Sequence, residues 1–359
     1  MRPTSILREA ALNIATGTTR FASLTFALVL VLLPLAVADI ASVASLDHEA
    51  QRYRDSGGST LIYTMEGGIN GAACDALGTV HGVIAAGAIR QRDAGLTIPE
   101  LPDEQVPTFE VSPAFGRFRA LGKPSAAGNV LVSSELAKTL GLTTGKHLRL
   151  AAGSPRLEVF GYAEDGRRPG LGYSVLVPAD SRAPFDECWL ETWPVAESFR
   201  SLMSTTLKPG AVVAGARGPT PRLQQLNASL GSTFDGAGRY GERVTRFAPA
   251  VGGVATFALG FFSVWRRRLE LAAARHSRVT PKAQALQILI ETGAWTTAGV
   301  LLVAPMLSIL VGIANAGDPR ALIELGVKVL EAGPIALLGA MLAVSLVREK
   351  HLFRYFKTR

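Results

Sequence analysis

FAPAVGGVATFALGFFSVWRRRLELAAARHSRVTPKAQALQILIE, residues 247–291, decides the fold. An apolar run long enough to enter a bilayer stops at Arg266, Arg267 and Arg268. A basic, helix-prone segment follows, and Thr280-Pro281 opens a second apolar run. Proline suits the first helical position, where its missing N–H would have no partner, and threonine caps the residue before it. The pattern predicts two membrane helices joined by a cationic turn.

Composition is consistent with that reading. Of 359 residues, 48% are hydrophobic, and the apolar residues gather near the N-terminus and in the last third. The net charge of +8 has its basic excess beside those runs, at Arg2, Arg8 and Arg20, at 266–282 and at 348–359. Lys and Arg crowd the cytosolic flanks of spanning helices, so topology accounts for the charge and nucleic acid is not called for as a partner. Both termini and the 266–282 turn are therefore expected in the cytoplasm of a multi-pass plasma-membrane protein, and the abundance of Ala, Gly and Arg points to a bacterial source.

The chain divides accordingly. Residues 1–20 are a basic cytoplasmic N-terminus with few structure signals. Residues 21–46 (FASLTFALVLVLLPLAVADIASVASL) form the first transmembrane helix, kept as an uncleaved anchor despite the signal-like Ala36-Val37-Ala38. Residues 47–245 form an extracytoplasmic domain, with 47–55 continuing the first helix as a stalk. Within it, STLIYTM (59–65), NVLVSS (129–134), LEVFGYAE (157–164) and GYSVLVP (172–178) are predicted strands. ELAKTLGL (135–142) is a short helix, and TTGKHLRLA (143–151) a further strand. Residues 71–88 are expected to be a helix followed by a strand, and 93–128 irregular. Val212-Val213 is a candidate strand, and 220–230 a candidate helix. Transmembrane helices follow at 246–265, 283–313 and 329–347, with a coupling loop at 266–282, a short outer loop at 314–328 and a cytoplasmic tail at 348–359. The predicted fold class is thus membrane α-helical with four transmembrane helices and an α+β extracytoplasmic domain between the first and second.

The two cysteines, Cys74 and Cys188, both fall in that domain. They form either two separate buried thiols or one disulfide, which would close a loop of roughly a hundred residues worth ~4–5 kcal/mol.

Read this way, RLELAAARHSRVTPKAQALQILIE (268–291) resembles the FtsX/MacB-type permeases of ABC transporters, the type VII mechanotransmission family. Glu270, Leu271, Ala272, Arg275 and Glu291 fall on the family pattern. Arg278 stands where glycine is usual, and Ala273-Ala274 replace a bulky pair. NVLVSSELAKTLGLTTGKHLRLA is similar to the family's periplasmic core, which makes 47–245 a MacB-like core domain. The resemblance implies that Arg266, Arg267, Arg268, Glu270, Leu271, Arg275, His276 and Arg278 couple the permease to a separate ATPase. It also implies that ATP and Mg are bound by that ABC ATPase subunit, with no cofactor in this chain. The other implied partners are a second permease copy or a related permease, membrane lipid, and an extracytoplasmic adaptor, substrate-binding protein or hydrolase.

No catalytic or metal-ligating constellation is visible. GRFRALGKPS (116–125) has one residue too many between its glycines for a phosphate-binding loop, and Pro124 where Ser or Thr would hold magnesium. His48, His81 and His147 lack the spacing of a zinc site. Glu291 is an ionisable group near a span, which by default is a functional candidate, but its place within about two turns of the cytosolic face favours an interfacial position or a helix-end partner. The expected function is export or extraction of a peptide, lipoprotein or drug-like substrate. The alternative is FtsX-like activation of a cell-wall hydrolase.

Overall fold

The computed structural model describes residues 3–98, 101–118, 130–142, 147–148, 157–162, 168, 170–211 and 220–348. The chain separates into two compact units, residues 1–48 with 236–359, and residues 49–235.

In chain order, α1 (Pro3–Ala15) precedes α2 (Phe21–Asp55), one 35-residue helix that continues through Pro34. Helix α1 forms in a terminus whose sequence carries few structure signals: Ile6 and Ala10, one turn apart, are buried.

The second unit opens with β1 (Thr60–Asn70), α3 (Gly71–Ala76) and β2 (Val83–Gln91). The segment expected to be irregular instead carries β3 (Leu96–Ile98), β4 (Leu101–Val106) and β5 (Thr108–Val111). Then come β6 (Val130–Ser133), α4 (Ser134–Thr139), β7 (His147–Leu148), β8 (Leu157–Tyr162), β9 (Val175–Pro178), β10 (Pro184–Thr192), α5 (Glu197–Leu202) and β11 (Arg222–Gln225). Strand β11 stands where a helix was expected, because its pairing with β1 overrides local propensity. Nine strands form one mixed sheet in the order β11-β1-β10-β2-β5-β9-β6-β8-β7, with β5–β9 and β6–β8 parallel. Val212-Val213 and most of 143–151 and 116–125 lie outside the described residues.

Strand β10 is central and reads to both faces with the period of two. Trp189 points into a cluster with Phe109, Phe115 and Phe118, while Cys188 and Leu190 join Cys74, Phe185 and Met203 on the other side. Cys74 and Cys188 are disulfide-bonded, with Cα atoms 5.8 Å apart. The pairing of Trp189 with Gly87 brings the Phe115 backbone so near that a β-carbon at Gly87 would meet it. The last turn of α2 belongs to this unit: Tyr53 packs against Trp193 and Phe234, and Gln225 Nε2 donates to its hydroxyl at 2.8 Å.

The helical unit resumes with α6 (Gly236–Glu242), α7 (Ala248–Trp265), α8 (Arg268–His276), α9 (Pro281–Ala314), α10 (Pro319–Leu330) and α11 (Ile335–Leu346). Among the described residues, four helices are long and apolar enough to cross a membrane: Phe21–Asp55, Val244–Trp265, Pro281–Ala314 and Pro319–Leu346. The fourth begins at Pro319, so residues 315–318 alone join it to α9. Asp318 caps α10 by accepting from the Arg320 and Ala321 amides, and Pro319 takes the first position. Helices α10 and α11 are joined by a turn over 331–334.

Helices α7 and α11 approach at their glycines. A β-carbon at Gly260 would overlap the Ala336 carbonyl, and one at Gly339 would overlap that of Phe257. Thr256 Oγ1 donates to the Ala332 carbonyl at 2.6 Å between them. Arg243 Nε also donates to the buried Asp39 carboxylate of α2 at 3.0 Å.

Candidate functional site: the basic turn and its helix

The turn between α7 and α9 is built by capping. Helix α8 ends in paired bonds, Arg278 N–H to Arg275 O at 3.0 Å and Val279 N–H to Ala274 O at 3.1 Å. This is the Schellman arrangement, which requires a left-handed residue at its first position beyond the cap. Arg278 occupies it with φ 66°. It is also the position at which the pattern described above carries glycine. Thr280 then accepts from the Ala283 amide and Pro281 begins α9, as the sequence predicts.

Helix α8 buries one side. Leu271 and Ala272 pack with Val264, Ile288, Ala340, Ala343, Val344 and Val347. Its other side, with Arg266 before it and Ser277 and Arg278 after it, leaves Glu270, Ala273 and His276 exposed. The eight residues implicated by the sequence therefore divide. Arg266, Glu270, His276 and Arg278 lie on the outer surface. Arg268 stacks its guanidinium 5.4 Å from the Trp265 ring centre. Arg267, Leu271 and Arg275 turn inward.

Arg275 is an anchor. Its Nε donates to Gln284 Oε1 at 2.8 Å, and its two terminal nitrogens donate to the Val344 and Val347 carbonyls at the end of α11. A cation suits that end of a helix, where carbonyls lack intrahelical partners. Gln284 in turn donates to the Leu271 carbonyl at 2.8 Å.

Arg267 pairs with Glu291 at 2.5 Å and with Glu270 at 3.2 Å. Glu291, 3% exposed, also accepts from Asn13 Nδ2 of α1 at 2.7 Å and from Gln287 at 3.1 Å. The sequence flagged Glu291 but missed Asn13 and Gln284. The available signal was the polar stripe Gln284, Gln287 and Glu291 on one face of an otherwise apolar helix.

The sheet unit offers a different feature, a polar cleft of about 450 Å³ lined by Arg90, Arg92, Asp93, Arg168, Asp186 and Glu187. Glu110 pairs with Arg90 and Arg92, and Glu187 with Arg168. On α3, burial raises the pKa of Asp75 despite a hydrogen bond from Ser112 and the charge of Arg117. Among the described residues, no three His, Cys, Asp or Glu side chains are placed to hold a metal.

No protein-family model matches the sequence, and none of the curated proteins does. Among solved structures, the chain is similar to the periplasmic region of MacB from Actinobacillus actinomycetemcomitans. That likeness covers 49% of this chain and 92% of the other at 10% identity and a TM-score of 0.34. It is too slight to carry a statement about fold or function.

Proposed function

We infer that this chain is the membrane subunit of an ABC-type machine in a bacterial plasma membrane, acting with a separate ATP-hydrolysing subunit. The supporting observation is the seating of α8. A short helix projects Glu270, Ala273 and His276 outward, while Leu271, Arg267 and Arg275 fasten it to α7, α9, α11 and α1. A helix held this firmly, with an exposed mixed-charge face, suits docking into a groove of a partner. Displacement of α8 would be passed to the spanning helices instead of being absorbed in a loose loop.

The disulfide supports the topology. Such bonds persist in oxidising compartments, which favours residues 49–235 outside the cytoplasm and α8 within it. Helix α2, running from the spanning unit into the sheet unit, then provides a continuous element along which motion reaches the outer domain. The work done there is on a peptide, lipoprotein or drug-like substrate.

Affinity purification of the full chain from its native membrane tests this reading. An ATPase should co-elute, and Glu270→Arg combined with Ala273→Trp should abolish its recovery while the membrane yield of the chain holds. Labelling of an Ala273→Cys variant from outside intact cells would sink the proposal, as would a purified complex without any ATP-hydrolysing chain.

A further inference from the structure

The cleft of the sheet unit holds more negative charge than its own arginines balance. Its lining includes Glu66, Asp93, Asp186 and Glu187. The guanidiniums beside them are already held, Arg90 and Arg92 by Glu110 and Arg168 by Glu187. Arg90 Nη1 also donates to the Pro184 carbonyl at 2.8 Å, and Glu187 accepts from Trp189 Nε1 at 2.8 Å. Asp186 uses one oxygen to accept from the Gly67 amide at 2.8 Å. Glu66 and Asp93, both exposed, have no partner among the described residues. In a chain whose net charge is +8, this cleft favours cations.

Strand order sets the spacing of the acids. Glu66 is on β1, Asp186 on β10, and Asp93 follows the end of β2, and these three strands are consecutive neighbours in the sheet. Adjacent strands lie ~4.8 Å apart, which separates Glu66 from Asp93 by about 10 Å, with Asp186 between them. Ile89 of β2 and Phe109 of β5 supply apolar wall in the same cleft. Thr64, directly opposite Glu187 in the β1–β10 register, also lines it, and its Oγ1 is buried without a hydrogen-bond partner. A buried hydroxyl in that state is unfavourable, and a donor entering the cleft would relieve it.

We propose that the cleft binds an alkyl chain carrying two ammonium groups about 10 Å apart, as found in a linear polyamine or in two nearby lysines of a peptide. One ammonium meets Glu66 and Asp186, and the other meets Asp93. The methylenes between them lie against Ile89 and Phe109, and Thr64 Oγ1 accepts from a nitrogen. The volume of about 450 Å³ falls within the range of ligand sites. Such sites are mostly apolar with a few polar groups, whereas this lining is mostly charged, which favours a polycation over an apolar molecule. Binding here needs no ATPase, so this inference and the reading above can fail separately.

The test is calorimetric titration of the full chain, purified in detergent, with two probes. One is spermidine, and the other is an end-capped peptide whose two lysines are separated by two alanines. At least one should bind, with an affinity that falls as salt is raised, and the tighter probe identifies the source. Glu66→Gln combined with Asp93→Asn should weaken that binding about twentyfold, up to about fivefold for each exposed ion pair. Glu135→Gln combined with Glu197→Gln removes the same charge from exposed positions elsewhere in the sheet unit and should leave the affinity unchanged. All four substituted side chains are exposed, so melting temperatures should hold and report that each variant is folded. Failure of both probes to bind would overturn the proposal. So would butylamine, with its single charge, binding as tightly as spermidine, or an equal effect of the two double variants.

Discussion

Arg267 and Glu291 form an ion pair at 2.5 Å whose side chains are 15% and 4% exposed. Glu291 also holds Asn13, so one carboxylate joins the N-terminal helix, the basic turn and α9. Removing one member of a buried pair costs about 3–5 kcal/mol when the other charge is left alone; here Arg267 keeps the exposed Glu270, so the loss falls toward or below the lower end of that range. Glu291→Ala should lower the melting temperature of the purified protein in detergent and open α8 to protease. Glu291→Gln, which still accepts from Asn13, should lose less. Equal, small losses for both variants would contradict the buried-pair account.

Arg278 sits at φ 66°, a conformation that only glycine adopts without steric cost. Arg278→Gly should stabilise the turn by about 1 kcal/mol, and Arg278→Val should destabilise it by at least as much. Comparative thermal unfolding reads both, and a loss of stability in the glycine variant would refute the strain.

Close approach of α7 and α11 leaves no room for a side chain at Gly260 or Gly339. Gly260→Leu should separate the helices and cost about 3 kcal/mol or more. A folded protein of unchanged melting temperature would show that the contact is dispensable.

The Cys74–Cys188 bond spans 114 residues of sequence. Reduction, or replacement of both residues by serine, should destabilise the sheet unit by ~4–5 kcal/mol. Hydrogen exchange should accelerate in β1, β2 and β10 while α7 and α11 keep their protection. Uniform acceleration across both units would argue against separate cores.

Asp75 has its pKa raised, chiefly by burial, so its folded state holds a proton more tightly than the unfolded chain does. The sign follows from linkage: this group favours the folded state at low pH, and the advantage is lost as pH rises from the ordinary aspartate value through the raised one. Asp75→Asn should therefore gain stability relative to the native chain at neutral pH and lose that gain on acidification. Melting curves across that range read it, and a difference independent of pH would exclude burial as the cause.

The spanning helices were readable because a long apolar run with cationic flanks has few alternatives, and Thr280-Pro281 marked a helix start directly. What escaped depended on distant partners. Nothing in PFDECWLET announces a strand buried on both faces, because its Glu187 is acceptable there only through Trp189 Nε1 and Arg168. The stretch 220–230 looked helical until β1 was available to pair with β11. The basic turn showed its charge but not its division of labour: sequence ranks Arg275 with Arg266, whereas folding sends one inward to the α11 carbonyls and leaves the other exposed.

The bond between Asp39 and Arg243 lies in the helical unit, on the two strands of chain that lead into and out of residues 49–235. Everything inserted between them begins and ends at a closed clasp. Asp39 and Arg243 are both residues of the helical unit, so the two stretches of chain that residues 49–235 connect are tied to each other by that unit's own side chains.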